Sequence, residues 1–235
     1  MTAKMNTMKR SVRFTGSIIL VGVLATVLVA CGGNSRVRKS SELTAVTNQF
    51  DMKAVWSTSV GSSEGFNFHP VVAGDAIYAA SHRGNLVKID LATGNKLWEA
   101  SVPERLSIGP GSDGRTTVVV STRGTVYSYD DTGKQMWKVS VNSEVLSEPI
   151  VAAGIVVVRA LDNRFIGLDA QTGARKWIYQ RQQSALSLRV GYGMLAIGNE
   201  VIVTGFAGGR FGMIAIANGG LVLSLIHISE PTRPY

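Results

Sequence analysis

Few groups in this chain are of a type that does chemistry. There is one cysteine, Cys31, and there are three histidines, His69, His82 and His227. The lone thiol has no disulfide partner within the chain. None of the histidines stands in a His-x-x-x-His or Cys-x-x-Cys setting, so no metal site is expected. No nucleophile elbow of the hydrolase kind is expected either. The glycine-rich stretches 191–193 and 205–209 are not followed by a helix signal and read as strand turns rather than phosphate cradles. The chain is therefore expected to be no enzyme, with no catalytic residue and no cofactor. The stretch Leu186-Ser187-Leu188-Arg189 is compatible with recognition. In an extended segment Leu186 and Leu188 point to one side. Arg189 beside them can pair bidentately with a carboxylate, and apolar anchors next to an arginine make an interface hot spot. Read from the residues alone, the two leucines are more readily core residues of a following strand.

The elements that must position such a loop are written in a repeat. IDLATGNKLW (89–98), YDDTGKQMW (129–137), LDAQTGARKW (168–177) and the imperfect IAIANGGLVL (214–223) are versions of one phrase. Tryptophan follows glycine by four residues at Gly94 and Trp98, Gly133 and Trp137, and Gly173 and Trp177; in the fourth copy Gly219 stands but Leu223 replaces the tryptophan. Trp56, Trp98, Trp137 and Trp177 are separated by 42, 39 and 40 residues. A unit of about 40 residues is the signature of a repeat architecture. Within it, short β-branched runs alternate with turn residues and show no helical period. The aspartate can accept backbone N–H groups two or three residues on, and the glycine takes the positive φ that closes the turn. The tryptophan then lies on a strand, where a large ring fills the space between packed sheets. Four strands per unit, repeated radially, predict an all-β fold, a β-propeller of four-stranded blades.

The first 30 residues carry Lys4, Lys9, Arg10 and Arg13 and no acid. An apolar run, 18–30, follows. It is shorter than the roughly 20 residues of a membrane-spanning helix and reads as the core of a signal peptide, residues 1–30. Leu28-Val29-Ala30-Cys31 resembles the lipobox of bacterial lipoproteins, which implies lipidation of Cys31. Residues 31–47 then form a polar tether, and 48–222 a partial propeller. Acyl chains on Cys31 would anchor the chain to a membrane, since firm anchoring takes more than one chain. By the lipoprotein sorting rule, Gly32 after the cysteine points to the outer membrane. The four cations of the signal segment account for half of the net charge of +8. No basic block lies beside an aromatic stripe, so nucleic acid is not an expected partner.

Residues 223–235 are expected to be a non-native tail. They depart from the repeat at 223 and contain two prolines, and LSLIHISEPTR resembles the translation of a transposase-type sequencing adapter. His227 and Glu230 are assigned no chemistry. Alone, the 235-residue chain is expected to be prone to aggregation, with blade edges open.

The lipobox, the tether, the phrase NQFDMKAVWSTSVG (48–61) and the Asp-x-x-Thr-Gly-x-x-x-Trp units together resemble the BamB family, lipoproteins of the machinery that assembles outer-membrane β-barrels. The resemblance implies eight blades, of which this chain holds about four. It implies a non-catalytic scaffold at the periplasmic face of the outer membrane. The implied partners are BamA, which inserts the barrels, the other lipoproteins of the complex, and unfolded outer-membrane clients. It also implies that Leu186, Leu188 and Arg189 dock the periplasmic domains of BamA. The Trp-bearing turn is shared with pyrroloquinoline-quinone dehydrogenases, the enzyme alternative, but the vicinal cysteine pair of those enzymes is absent here. A ligand-sensing periplasmic propeller is the third reading.

Overall fold

Strands form wherever β-branched runs are bounded by a glycine that tolerates positive φ. The computed structural model describes residues 53–181, 193–206 and 209–226, and among them every regular element is a β-strand. Blade 1 consists of β1 (Val71–Ala73), β2 (Ala76–Ala80), β3 (Asn85–Asp90) and β4 (Lys96–Ser101). Blade 2 holds β5 (Gly111–Ser112), β6 (Thr117–Val120), β7 (Thr125–Tyr129) and β8 (Gln135–Ser140). Blade 3 holds β9 (Ile150–Ala152), β10 (Ile155–Arg159), β11 (Arg164–Asp169) and β12 (Arg175–Gln180). Blade 4 holds β13 (Met194–Ile197), β14 (Val201–Phe206), β15 (Arg210–Ala215) and β16 (Leu221–Ile226). Each blade is one antiparallel sheet in sequence order. The first strands of successive blades, β1, β5, β9 and β13, are neighbours. The all-β fold of four-stranded propeller blades expected from the repeat is the fold observed, with four blades among the described residues.

The middle strands of blades 2 and 3 are buried on both faces, which is why β6 and β10 carry runs of successive valines rather than an alternation. In β10, Val156 and Val158 face a core shared with blade 2, and Ile155 and Val157 face one shared with blade 4. Val119 of β6 turns toward blade 1 while Val118 and Val120 turn toward blade 3. Three apolar layers result, one between each pair of adjoining blades, as the two-residue period of a strand requires.

The Asp-Thr-Gly turns close the last hairpin of blades 1 to 3. Asp90 Oδ1 accepts the N–H and the hydroxyl of Thr93, both at 2.7 Å. Asp130 and Asp169 hold Thr132 and Thr172 in the same way. The glycine N–H returns to the aspartate carbonyl in all three turns. Blade 4 has Ala215 in place of the aspartate; it keeps the backbone bond, Gly219 N–H to Ala215 O, at 2.9 Å, and Asn218 Oδ1 accepts the Gly220 N–H at 2.9 Å. These bonds lower the pKa of all three carboxyls, the threonine side chain being the main cause at Asp90 and Asp130. At Asp169 the largest cause is the Lys176 ammonium, 3.2 Å away, and the value falls from 3.8 to about 2. A carboxyl depressed by folding supports the fold fully above its unfolded pKa, and that support is lost as the pH falls through the folded value. Wild type is therefore expected to lose stability relative to Asp169→Asn between about pH 4 and pH 2. Urea midpoints of both proteins across that range check it; a constant difference would refute it.

The outermost strand of blade 4 runs through Ile226 and pairs with β15, as in Phe211 with Leu225 and Met213 with Leu223. It thus continues past residue 222 into the stretch 223–235, where the departure from the repeat begins. Pairing is made by backbone groups, so the leucine at 223 does not prevent the strand.

Candidate docking surface and its frame

Each tryptophan serves the blade after its own. Trp98 lies on Gly133, Trp137 on Gly173 and Trp177 on Gly219; a Cβ on any of these glycines would sit within 3 Å of the ring. The indole N–H completes the joint by donating to a carbonyl of the same next-blade turn. Trp98 reaches Asp131 O, Trp137 reaches Ala170 O and Trp177 reaches Ile216 O, each at 2.9 Å. Trp56, in the extended residues 53–60, docks on Gly94 and Leu91 O in the same manner. The glycine and tryptophan that are four apart in sequence are therefore not each other's partners. Leu223 occupies the tryptophan position of blade 4 and is exposed, and Gly219 of that blade is filled by Trp177 regardless.

His69 and His82 have separate partners. His82 is buried, with Nδ1 2.7 Å from Leu106 O and its ring stacked on Phe66. Its Nε2 lies 3.8 Å from Glu64, which also pairs with Arg83 at 2.7 Å. His69 is exposed and contacts Glu148 at 2.7 Å. His227 lies outside the described residues. No group of three or more potential metal ligands is gathered among the described residues. The spacing Gly-x-Ser-x-Gly does occur once, at 61–65, contrary to the expectation of no such motif. It does not form an elbow. Ser63 is exposed in an irregular turn, where its carbonyl accepts the Phe66 N–H at 2.9 Å, whereas an elbow requires a strand-to-helix turn.

Of the other expected sites, Cys31 and the trio Leu186, Leu188 and Arg189 lie outside the described residues. The flanks of the trio are described. The connection that carries it runs from Arg181, after β12, to Gly193, before β13. The Arg181 guanidinium lies over the Phe206 ring at 4.9 Å, and the Gly193 carbonyl accepts the Thr204 hydroxyl at 3.1 Å. Thr204 in turn accepts from Arg159, whose guanidinium packs on Phe165 and Phe206. Nothing in the sequence reading singled out Arg159, Thr204 or Phe206. The signal was there as a charged residue within the apolar run of β10.

The family model described as "Outer membrane protein assembly factor BamB" matches residues 5–105 and 84–233, and so most of the chain. The chain belongs to the BamB family. Outer membrane protein assembly factor BamB of Burkholderia pseudomallei is 39% identical over 83% of this chain and 52% of its own length. That of Bordetella pertussis is 37% identical over 88% of this chain and 53% of its own. The chain thus spans about half the length of these BamB relatives. The crystal structure of BamB from Moraxella catarrhalis, at 23% identity, has the same fold: its TM-score is 0.60 over 68% of this chain and 48% of that one.

Proposed function

We propose that this BamB-family chain is a scaffold of the outer-membrane β-barrel assembly machinery. In this reading the acylated Cys31 holds it at the periplasmic face of the outer membrane. The connection between blades 3 and 4 docks the periplasmic domains of the barrel-inserting subunit, with Leu186 and Leu188 as apolar anchors and Arg189 paired to a carboxylate. The observation that carries the reading is the family match together with the character of that connection. It runs over the thirteen residues 181–193, whereas the corresponding 102–110 and 141–149 have nine each. A longer connection on a rigid propeller is where recognition residues are tolerated. A looser part of the reading concerns clients. β4, β8, β12 and β16 each end their sheet, and such an edge can accept an extended client strand by backbone pairing.

The test is charge reversal at the docking loop. Arg189→Glu is expected to weaken binding to the periplasmic domains of the barrel-inserting subunit by at least about tenfold, since it removes a charge-assisted pair and adds repulsion. Its thermal midpoint should stay at the wild-type value. Wild-type affinity in that variant would remove the docking assignment. Mass spectrometry of the mature N-terminus, looking for acylation of Cys31, checks the anchor.

A further inference from the structure

The repeat is its own standard for detecting departures. Ser81, Ser121 and Ala160 each donate their N–H to the carbonyl four residues on. That aligns the residues before them, Ala80, Val120 and Arg159. Counting four residues on from Trp98, Trp137 and Trp177 aligns Val102, Val141 and Arg181. In blades 1 and 2 both positions are buried aliphatic side chains. At the boundary of blades 3 and 4 both are arginine.

Arg159 is only 3% exposed. Its guanidinium lies 5.0 Å from the Phe165 ring and 5.5 Å from the Phe206 ring, and Arg181 covers Phe206 from 4.9 Å. Arg159 Nη1 donates to Thr204 Oγ1 at 2.7 Å, and the Thr204 hydroxyl donates to Gly193 O at 3.1 Å. Taking a guanidinium out of water is costly, and the rings and the hydroxyl offset that cost. An aliphatic residue, as in blades 1 and 2, would fill the position without it. The two arginines coincide with the one connection among the three that is longer, and their contacts reach both its ends. Arg181 is its first residue and Gly193 its last.

We propose that Arg159 is a positioning residue for this connection. Through Thr204 it fixes Gly193, and through the shared Phe206 ring it fixes Arg181. It thereby sets where the segment carrying Leu186, Leu188 and Arg189 leaves and rejoins the propeller. The inference rests on the docking reading above and deepens it. A segment whose ends are already fixed loses less conformational freedom when a partner binds. Arg159 therefore acts on affinity without touching the partner.

Three variants of the full-length protein test this. Thr204→Val keeps the side-chain shape and removes the hydroxyl, Thr204→Ser keeps the hydroxyl, and Arg159→Leu restores the aliphatic residue of blades 1 and 2. Hydrogen–deuterium exchange, thermal midpoint and affinity for the periplasmic domains of the barrel-inserting subunit are measured for each. In Thr204→Val and Arg159→Leu, exchange across 182–193 is expected to rise about tenfold and affinity to fall about tenfold, the scale of one lost buried hydrogen bond. Exchange in β10 should change far less than across 182–193, Thr204→Val should lower the thermal midpoint because the buried guanidinium loses an acceptor, and Thr204→Ser should behave as wild type throughout. Wild-type exchange across 182–193 in Thr204→Val overturns the anchor, even if Arg159→Leu fails to fold. Faster exchange with wild-type affinity overturns the docking reading instead, and Arg189→Glu measured alongside would then also bind normally.

Discussion

Trp137→Ala is expected to cost about 3–5 kcal/mol, the range for deleting a large buried aromatic. The ring is 8% exposed and belongs to the apolar layer between blades 2 and 3. Removing it leaves a cavity against Gly173, which has no side chain to collapse into the space. It also leaves the Ala170 carbonyl without the indole N–H it accepts at 2.9 Å. Both losses fall on one inter-blade joint, and stability in a repeat fold is largely a sum of such joints. A urea titration followed by tryptophan fluorescence and circular dichroism checks this. A midpoint within error of wild type would mean that the joint contributes little. Trp98→Ala is expected to cost less, because Trp98 is only partly buried.

Gly173→Ala is the complementary experiment and separates two effects that glycine combines. Gly173 has φ of +73°, and a Cβ there would lie 2.7 Å from the Trp137 ring. The backbone part costs about 1–2 kcal/mol for an L-residue, and displacing a packed ring adds about 1–3 kcal/mol. Gly154 supplies the control. Its φ is +74°, and nothing lies within 4 Å of its would-be Cβ, so Gly154→Ala should show the backbone part alone. In the double variant Trp137→Ala, Gly173→Ala the ring is gone, and the combined loss should fall short of the sum of the single losses by about 1–2 kcal/mol. Strict additivity would show that ring and glycine do not act on each other.

Much of the blade was legible because its determinants are local. The Asp-Thr-Gly turn is built within five residues, and the carboxylate, threonine and glycine can be assigned roles from spacing alone. The same holds for the strands, whose β-branched runs are bounded by glycines at positive φ. The trio proposed for docking was legible only as a motif. Leu186-Ser187-Leu188-Arg189 has the composition of a hot spot, but nothing in its own residues says whether the leucines face a partner or a core. The spacing at 61–65 shows the opposite failure, a motif that matches a pattern while the chain around it lacks the strand-to-helix turn that gives the pattern its chemistry.

By itself the sequence determined the unit: four short strands, a hydrogen-bonded turn and one tryptophan, repeated at about 40 residues. It could do so because each part depends on neighbours along the chain. Only the tertiary structure decided which glycine each tryptophan meets. Trp137 passes over Gly133, four residues before it, and seats on Gly173 of the next blade, because a side chain that leaves the face of a sheet reaches the adjoining sheet and not its own turn. Tertiary structure alone likewise brought Arg159, Thr204 and Phe206 to the two ends of one connection. Their separations in sequence carry no period, and their meeting is fixed by how blade 3 packs against blade 4.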